Sequence, residues 1–186
     1  MRRFNHVLRS FALASATLIF SGCNTVMIGD SIFNMSRDDL DGTVDASDGR
    51  GAYNAGLNGD PLTGDEAVSA LATTVVVKAW LVVGLGTNDA RTEPSTAGFA
   101  TFVRTTVDRL PDDRCLAWVI PYNPQFPEAS RTIEAAIRDN ISAQPCHALV
   151  DWGATAQAHP ELTVDGIHPT PAGRKVLSDM IKAVTG

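Results

Sequence analysis

The sequence offers no segment suited to crossing a bilayer as a permanent anchor: the apolar run over residues 11–20 holds about ten residues, where a spanning helix needs roughly 20. Basic side chains are in short supply as well, with 15 Lys and Arg against 21 Asp and Glu. There are three cysteines, and no His/Cys set has the spacing of metal ligands. No Gly-x-Ser-x-Gly elbow occurs, which leaves the ordinary α/β-hydrolase arrangement without support. Gly84-Leu85-Gly86 lacks the third glycine of a dinucleotide loop, and there is no phosphate loop. No cofactor and no metal are therefore expected.

What is present begins with an export signal. Arg2, Arg3 and Arg9 precede or open the apolar run, and Ser21-Gly22-Cys23 follows it, the three-part layout of a secretory peptide. Residues 1–22 are expected to be removed, leaving 23–186 as the working domain. Their loss takes away three arginines and no acid, so 12 basic residues face 21 acidic ones, a formal charge of −9. A chain that acidic has no electrostatic footprint for nucleic acid. Small residues directly before Cys23 resemble a bacterial lipoprotein cleavage box with Cys23 as the acylated first residue, although Phe20 stands where the box usually has Leu. Cleavage after Ala14-Ser15-Ala16 is the alternative and gives plain secretion. Either way the protein is expected to be exported, touching a membrane only through a lipid at Cys23. Cys115 and Cys146 then remain as an even pair in an oxidising compartment. Each opens or precedes a predicted strand, and neighbouring strands lie about 4.8 Å apart, so a bridge between them is expected, with two buried thiols as the alternative.

Beyond Cys23 short apolar runs alternate with amphipathic segments, with no repeat and no linker. A chain of 186 residues suits one domain, and a monomer is expected. The runs at 25–28, 80–83, 115–120 and 147–150 are continuous rather than alternating, as in strands buried on both faces. Helical spacing predicts helices over 65–74, 95–110, 128–143 and 171–184. Phe99, Phe102, Val103, Val107 and Leu110 make one apolar face, and Ile133, Ala136, Ile137 and Ile141 another. The Asp- and Gly-rich stretch 38–51 reads as loop, with a short second strand near Ala52-Tyr53. The expected fold is a single-domain three-layer α/β/α with a mostly parallel, five-stranded, flavodoxin-like doubly wound sheet, whose sites gather at the carboxyl ends of the strands.

Three polar groups fall at that edge. Ser31 follows the first strand, Asn88 follows the third, and Asp165-Gly166-Ile167-His168-Pro169 precedes the last helix. A serine hydroxyl is a poor nucleophile until a base takes its proton, and histidine suits that task. Asp165, three residues before His168, can hold the Nδ1 proton and leave Nε2 facing the serine. Attack on an ester also charges the carbonyl oxygen, which needs fixed donors. The Ser31 N–H, the Asn88 amide and a glycine N–H would supply them.

Gly29-Asp30-Ser31-Ile32, Asn54-Ala55-Gly56-Leu57-Asn58-Gly59-Asp60, Gly86-Thr87-Asn88-Asp89 and Asp165-Gly166-Ile167-His168-Pro169 together resemble the four ordered blocks of the GDSL (SGNH) hydrolases. The resemblance runs from about Val26 to the end. It implies Ser31 as nucleophile and first oxyanion donor, Gly59 as second donor (Gly56 being the other glycine of that block), Asn88 as third, and Asp165 with His168 as the rest of a triad. Asp151 is the one rival acid, while His147 and His159 read as structural. Each block alone has a plainer reading: a helix cap at Gly29-Asp30-Ser31, turns at Asn88-Asp89 and Asp165-Gly166, and a helix start with Pro171 in its first turn.

The resemblance implies a serine carboxylic-ester hydrolase working through an acyl-enzyme on a small-molecule, lipid or glycan ester. An acyltransferase or deacylase of a cell-envelope glycan or lipid needs the same residues, and a silent glycan- or lipid-binding module needs none of the proton relay. Tyr122, Asn123, Pro124 and Phe126 are expected to line the cleft, and short acyl groups are expected because no long apolar lid segment is visible.

Overall fold

The structure, a computed structural model, describes residues 25–57, 59–72, 79–141 and 146–186. The expected signal, the proposed lipid site Cys23 and the far ends of two predicted helices at 74 and 143 lie outside the described residues.

Five parallel strands form one sheet in the order β2-β1-β3-β4-β5: β1 (Val26–Gly29), β2 (Thr43–Ala46), β3 (Trp80–Gly84), β4 (Cys115–Val119) and β5 (His147–Val150). The helices are α1 (Ser31–Ser36), α2 (Gly64–Ala72), α3 (Glu93–Arg109), α4 (Pro127–Ile141), α5 (Trp152–Ala158) and α6 (Pro171–Thr185). Successive strand residues point to opposite faces, so each central strand feeds two cores. Ile28, Leu81, Val83, Leu116 and Trp118 pack under α3 and α4 with Phe99, Phe102, Ile133 and Ile137. Met27, Val82, Ala117 and Val119 pack on the other side with Phe33, Trp152, Leu177 and Ile181. This double burial is why the strands read as unbroken apolar runs.

Two features escaped the sequence pattern. The second strand is Thr43–Ala46, inside the stretch expected to be loop, and not at Ala52-Tyr53. An edge strand of four residues with a half-buried Val44 and Asp45 has no continuous run to show. Helices α1 and α5 have six and seven residues, too short to display a helical period.

Cys115 and Cys146 are joined by a disulfide, their Cα atoms 4.9 Å apart, at the amino-terminal ends of the adjacent strands β4 and β5. The opposite end of the sheet carries the polar loops. Order β2-β1-β3 makes the gap between β1 and β3 the switch point, where the chain leaves toward opposite faces and a crevice opens. Gly29 and Gly84, partners in register there, leave room for the Phe33 ring: a Cβ on either would lie 2.6 Å from it. That contact sets α1, with Ser31 at its first turn, close on the sheet.

Candidate active site

Ser31 is the first residue of α1. Asp30 caps that helix, its Oδ1 accepting from the Ile32 N–H at 2.9 Å, so the cap reading of this block holds for Asp30 and leaves the Ser31 side chain free. The Ser31 N–H, at the first helical position, has no acceptor within the helix. Ser31 Oγ lies 2.9 Å from His168 Nε2, and His168 Nδ1 lies 2.7 Å from Asp165 Oδ2.

The loop carrying the last two is pinned by an antiparallel bridge between Thr163 and Pro169 and by the Val164 N–H donating to the His168 carbonyl at 2.9 Å. Thr170 then caps α6 by accepting from the Gly173 N–H, with Pro171 at the helix start. Asp165 Oδ1 also accepts from the backbone N–H groups of Ile167 and His168 at 3.0 and 2.8 Å. Partial burial pushes the Asp165 carboxyl up, but these bonds and the His168 ring outweigh it and hold it below the usual carboxylate range. It therefore remains an anion facing Nδ1. Asp151, the rival acid, pairs with Arg138 of α4 instead. His159 contacts Glu161, and His147 opens β5.

Ser31, His168, Asn88 and Gly49 line one hollow of about 430 Å³. Gly59 does not line it. A Cβ there would meet nothing within 4 Å, and its φ of +85° falls where the Asp60 N–H bonds back to the Leu57 carbonyl. Asn54 of the same block donates to Ser95 Oγ at 3.1 Å. The second strand lies at Thr43–Ala46 and not near Ala52, and the turn beyond it, Ser47 to Arg50, brings Gly49 to the hollow. Gly49 takes φ +75°, a conformation glycine adopts without cost. Tyr122 and Pro124 line a separate hollow behind Asp165, Phe126 lines another, and Asn123 is buried with its amide on the Thr87 carbonyl. None of these four lines the Ser31 hollow. Its rim is instead Met35, Leu57 and Val164, 43, 62 and 68% exposed.

Asn88 heads a 3₁₀ turn, Asp89–Arg91, without capping it. Its Nδ2 donates to the Arg50 carbonyl at 3.1 Å and lies 3.5 Å from Asp30 Oδ2. Arg50 was not singled out in the sequence, although it stands between two glycines and within reach of several acids. Its side chain is 2% exposed. The guanidinium bonds Asp45 Oδ1 at 2.9 Å, the Asp45 carbonyl at 3.1 Å and Asp60 Oδ2 at 2.5 Å. It thus ties the end of β2 to the loop beyond and fixes the Gly49-Arg50 backbone on which Asn88 rests.

Two buried carboxyls lie beneath. Burial raises Asp30 to about 6, against the Ile32 hydrogen bond and the nearby His168. Burial likewise raises Asp89 to about 7, opposed by the Ala52 N–H on its Oδ1 at 2.8 Å and reinforced by Asp30. Because the folded value of Asp89 lies above the ordinary 3.8, the stability it contributes is complete below that value and is lost as pH rises to about 7. Asp89→Asn keeps an acceptor for Ala52 and carries no charge. The variant should gain stability over wild type between pH 5 and pH 8, by on the order of 2–4 kcal/mol. Melting curves at both pH values check this, and parallel shifts in the two proteins would refute it.

No protein-family model matches the sequence, and no curated protein matches it. Solved structures do. The C-terminal catalytic domain of the peptidoglycan O-acetyltransferase of Streptococcus pneumoniae superposes with a TM-score of 0.68 at 20% identity, covering 88% of this chain and 92% of that one. A lipolytic protein of the G-D-S-L family from Veillonella parvula gives 0.60 at 12% identity, over 86% and 96% of the two chains. A carbohydrate acetylesterase from Sinorhizobium meliloti gives 0.52 at 16% identity, over 87% and 99%. At these identities the likeness establishes architecture: the chain has the GDSL (SGNH) hydrolase fold.

Proposed function

We propose that the protein is a serine carboxylic-ester hydrolase. The observation that carries this reading is the unbroken relay from Ser31 Oγ through His168 to Asp165, with contacts of 2.9 and 2.7 Å. In the reaction His168 Nε2 takes the Ser31 proton as Oγ attacks the ester carbonyl carbon, while Asp165 stabilises the imidazolium through Nδ1. The oxyanion is met by the Ser31 N–H, the Gly49 N–H and Asn88 Nδ2. His168 then protonates the departing alkoxide, and water repeats the sequence on the acyl-enzyme.

Water access favours hydrolysis over acyl transfer, since Ser31 is only half-buried and the Asp165 side chain is 48% exposed. The shallow rim of Met35, Leu57 and Val164 suits short acyl groups. The test is covalent labelling with a fluorophosphonate, which should modify wild type once and leave Ser31→Ala unmodified; a wild type that stays unlabelled would mean a binding module. Product analysis with an added sugar alcohol then separates hydrolase from transferase. Export with a lipid on Cys23 is part of the same proposal, supported by the sequence around it, and detergent partitioning of the full chain against Cys23→Ala decides it.

A further inference from the structure

Arg91 stands at the edge of the Ser31 hollow with nothing to hold. It closes the 3₁₀ turn that begins after Asn88, and its N–H donates to the Asn88 carbonyl at 3.2 Å. Its position relative to the Asn88 backbone is therefore fixed. Its side chain is exposed and makes no ion pair or hydrogen bond, whereas every other arginine among the described residues is engaged. In a chain with 21 acids for 15 bases, a guanidinium without an acid partner is conspicuous.

Arg91 also borders a second hollow, of about 570 Å³, whose apolar wall includes Ala97, Phe126 and Pro127. It is thus the shared boundary between the space around Ser31 and this groove. The carboxylates facing the two spaces are Asp48 on the Ser31 side, which accepts from Asn34 at 3.0 Å, and Glu93 and Glu128 on the other, the latter paired with Arg131. Arg91 is the one Arg or Lys among the described residues lining the two hollows, and it stands where they meet. A guanidinium presents paired N–H donors that match a carboxylate or a phosphate.

We propose that Arg91 anchors a carboxylate or phosphate on the ester substrate, whose uncharged remainder lies over Arg91 into the groove lined by Ala97, Phe126 and Pro127. This rests on the hydrolase reading and narrows its substrate class to anionic esters.

The test compares phenyl acetate with meta-acetoxybenzoate and para-acetoxyphenyl phosphate. Wild type should favour an anionic ester in kcat/KM by about tenfold, chiefly through KM, and added salt should erode that preference. Arg91→Ala should abolish it, Arg91→Lys retain part of it, and Arg91→Glu reverse it; the better of the two anionic esters identifies the group. A wild type with no preference, or a preference that survives in Arg91→Ala, overturns the proposal. Binding of benzoate and phenyl phosphate to Ser31→Ala, and its weakening about tenfold in the Ser31→Ala, Arg91→Ala double variant, reads the anion site without turnover. A protein that hydrolyses none of the three esters yet shows this binding difference would lose the hydrolase reading and keep the anion site; equal binding by both variants would remove the site.

Discussion

Ser31→Ala and His168→Ala are each expected to lower turnover of a nitrophenyl ester by about 10⁴ to 10⁶-fold while the fold stays intact. The expectation follows from the relay acting as one unit. Without Oγ there is no acyl-enzyme, and without Nε2 the hydroxyl keeps its proton. The double variant should therefore be about as slow as either single one, rather than slower by the product of the two losses. Asp165→Asn should retain more activity than either, because the His168 and Ile167 N–H groups that bond Oδ1 still position the loop. Steady-state rates with circular dichroism as the folding control make the measurement. If His159→Ala were the inactive variant and His168→Ala retained activity, the relay would have been assigned to the wrong histidine; the exposed contact of His159 with Glu161 gives no route by which that could happen.

How much of this was legible in the sequence depended on how far each element's environment dictates its composition. Strands β1, β3 and β4, buried on both faces, and the half-buried edge strand β5 betrayed themselves as apolar runs, and α3, α4 and α6 as apolar stripes of three to five turns. Ser31, Asn88, Asp165 and His168 could be placed at one edge because each follows or precedes such an element. The edge strand Thr43–Ala46 gave no such sign, and the block Asn54 to Asp60 points to Gly59, whereas Gly49 is the glycine that lines the Ser31 hollow. Arg50 was hidden for a different reason. A buried guanidinium is identifiable only by the acids that neutralise it, and Asp45 and Asp60 come together through the fold of the loop, not by local spacing. Arg91 escaped likewise, because being unpaired is a property of three-dimensional surroundings.

Asn88 separates an oxyanion donor from a turn residue more sharply than any other position. Its side chain makes no cap to the 3₁₀ turn it heads, so alanine costs that turn no side-chain hydrogen bond. What alanine does remove is the amide proposed to donate to the charge that develops only in the transition state; at rest its Nδ2 donates to the Arg50 carbonyl at 3.1 Å and lies 3.5 Å from Asp30 Oδ2. Asn88→Ala should therefore lower kcat by about 10² to 10³-fold, roughly 2.7 to 4 kcal/mol, with little change in KM. Asn88→Asp is nearly isosteric but replaces the donor with an acceptor. It would set a carboxylate against the Arg50 carbonyl and beside the buried Asp30 carboxyl, where burial already disfavours charge, and against the developing oxyanion. It should be at least as slow as alanine and should melt lower at pH 8 than at pH 5 relative to wild type, whereas a residue chosen for its turn would tolerate Asp better than Ala. Kinetics and melting curves on both variants decide the matter: an Asn88→Asp protein with near-normal kcat would remove Asn88 from the oxyanion site and leave Ser31 and Gly49 to stabilise the charge alone.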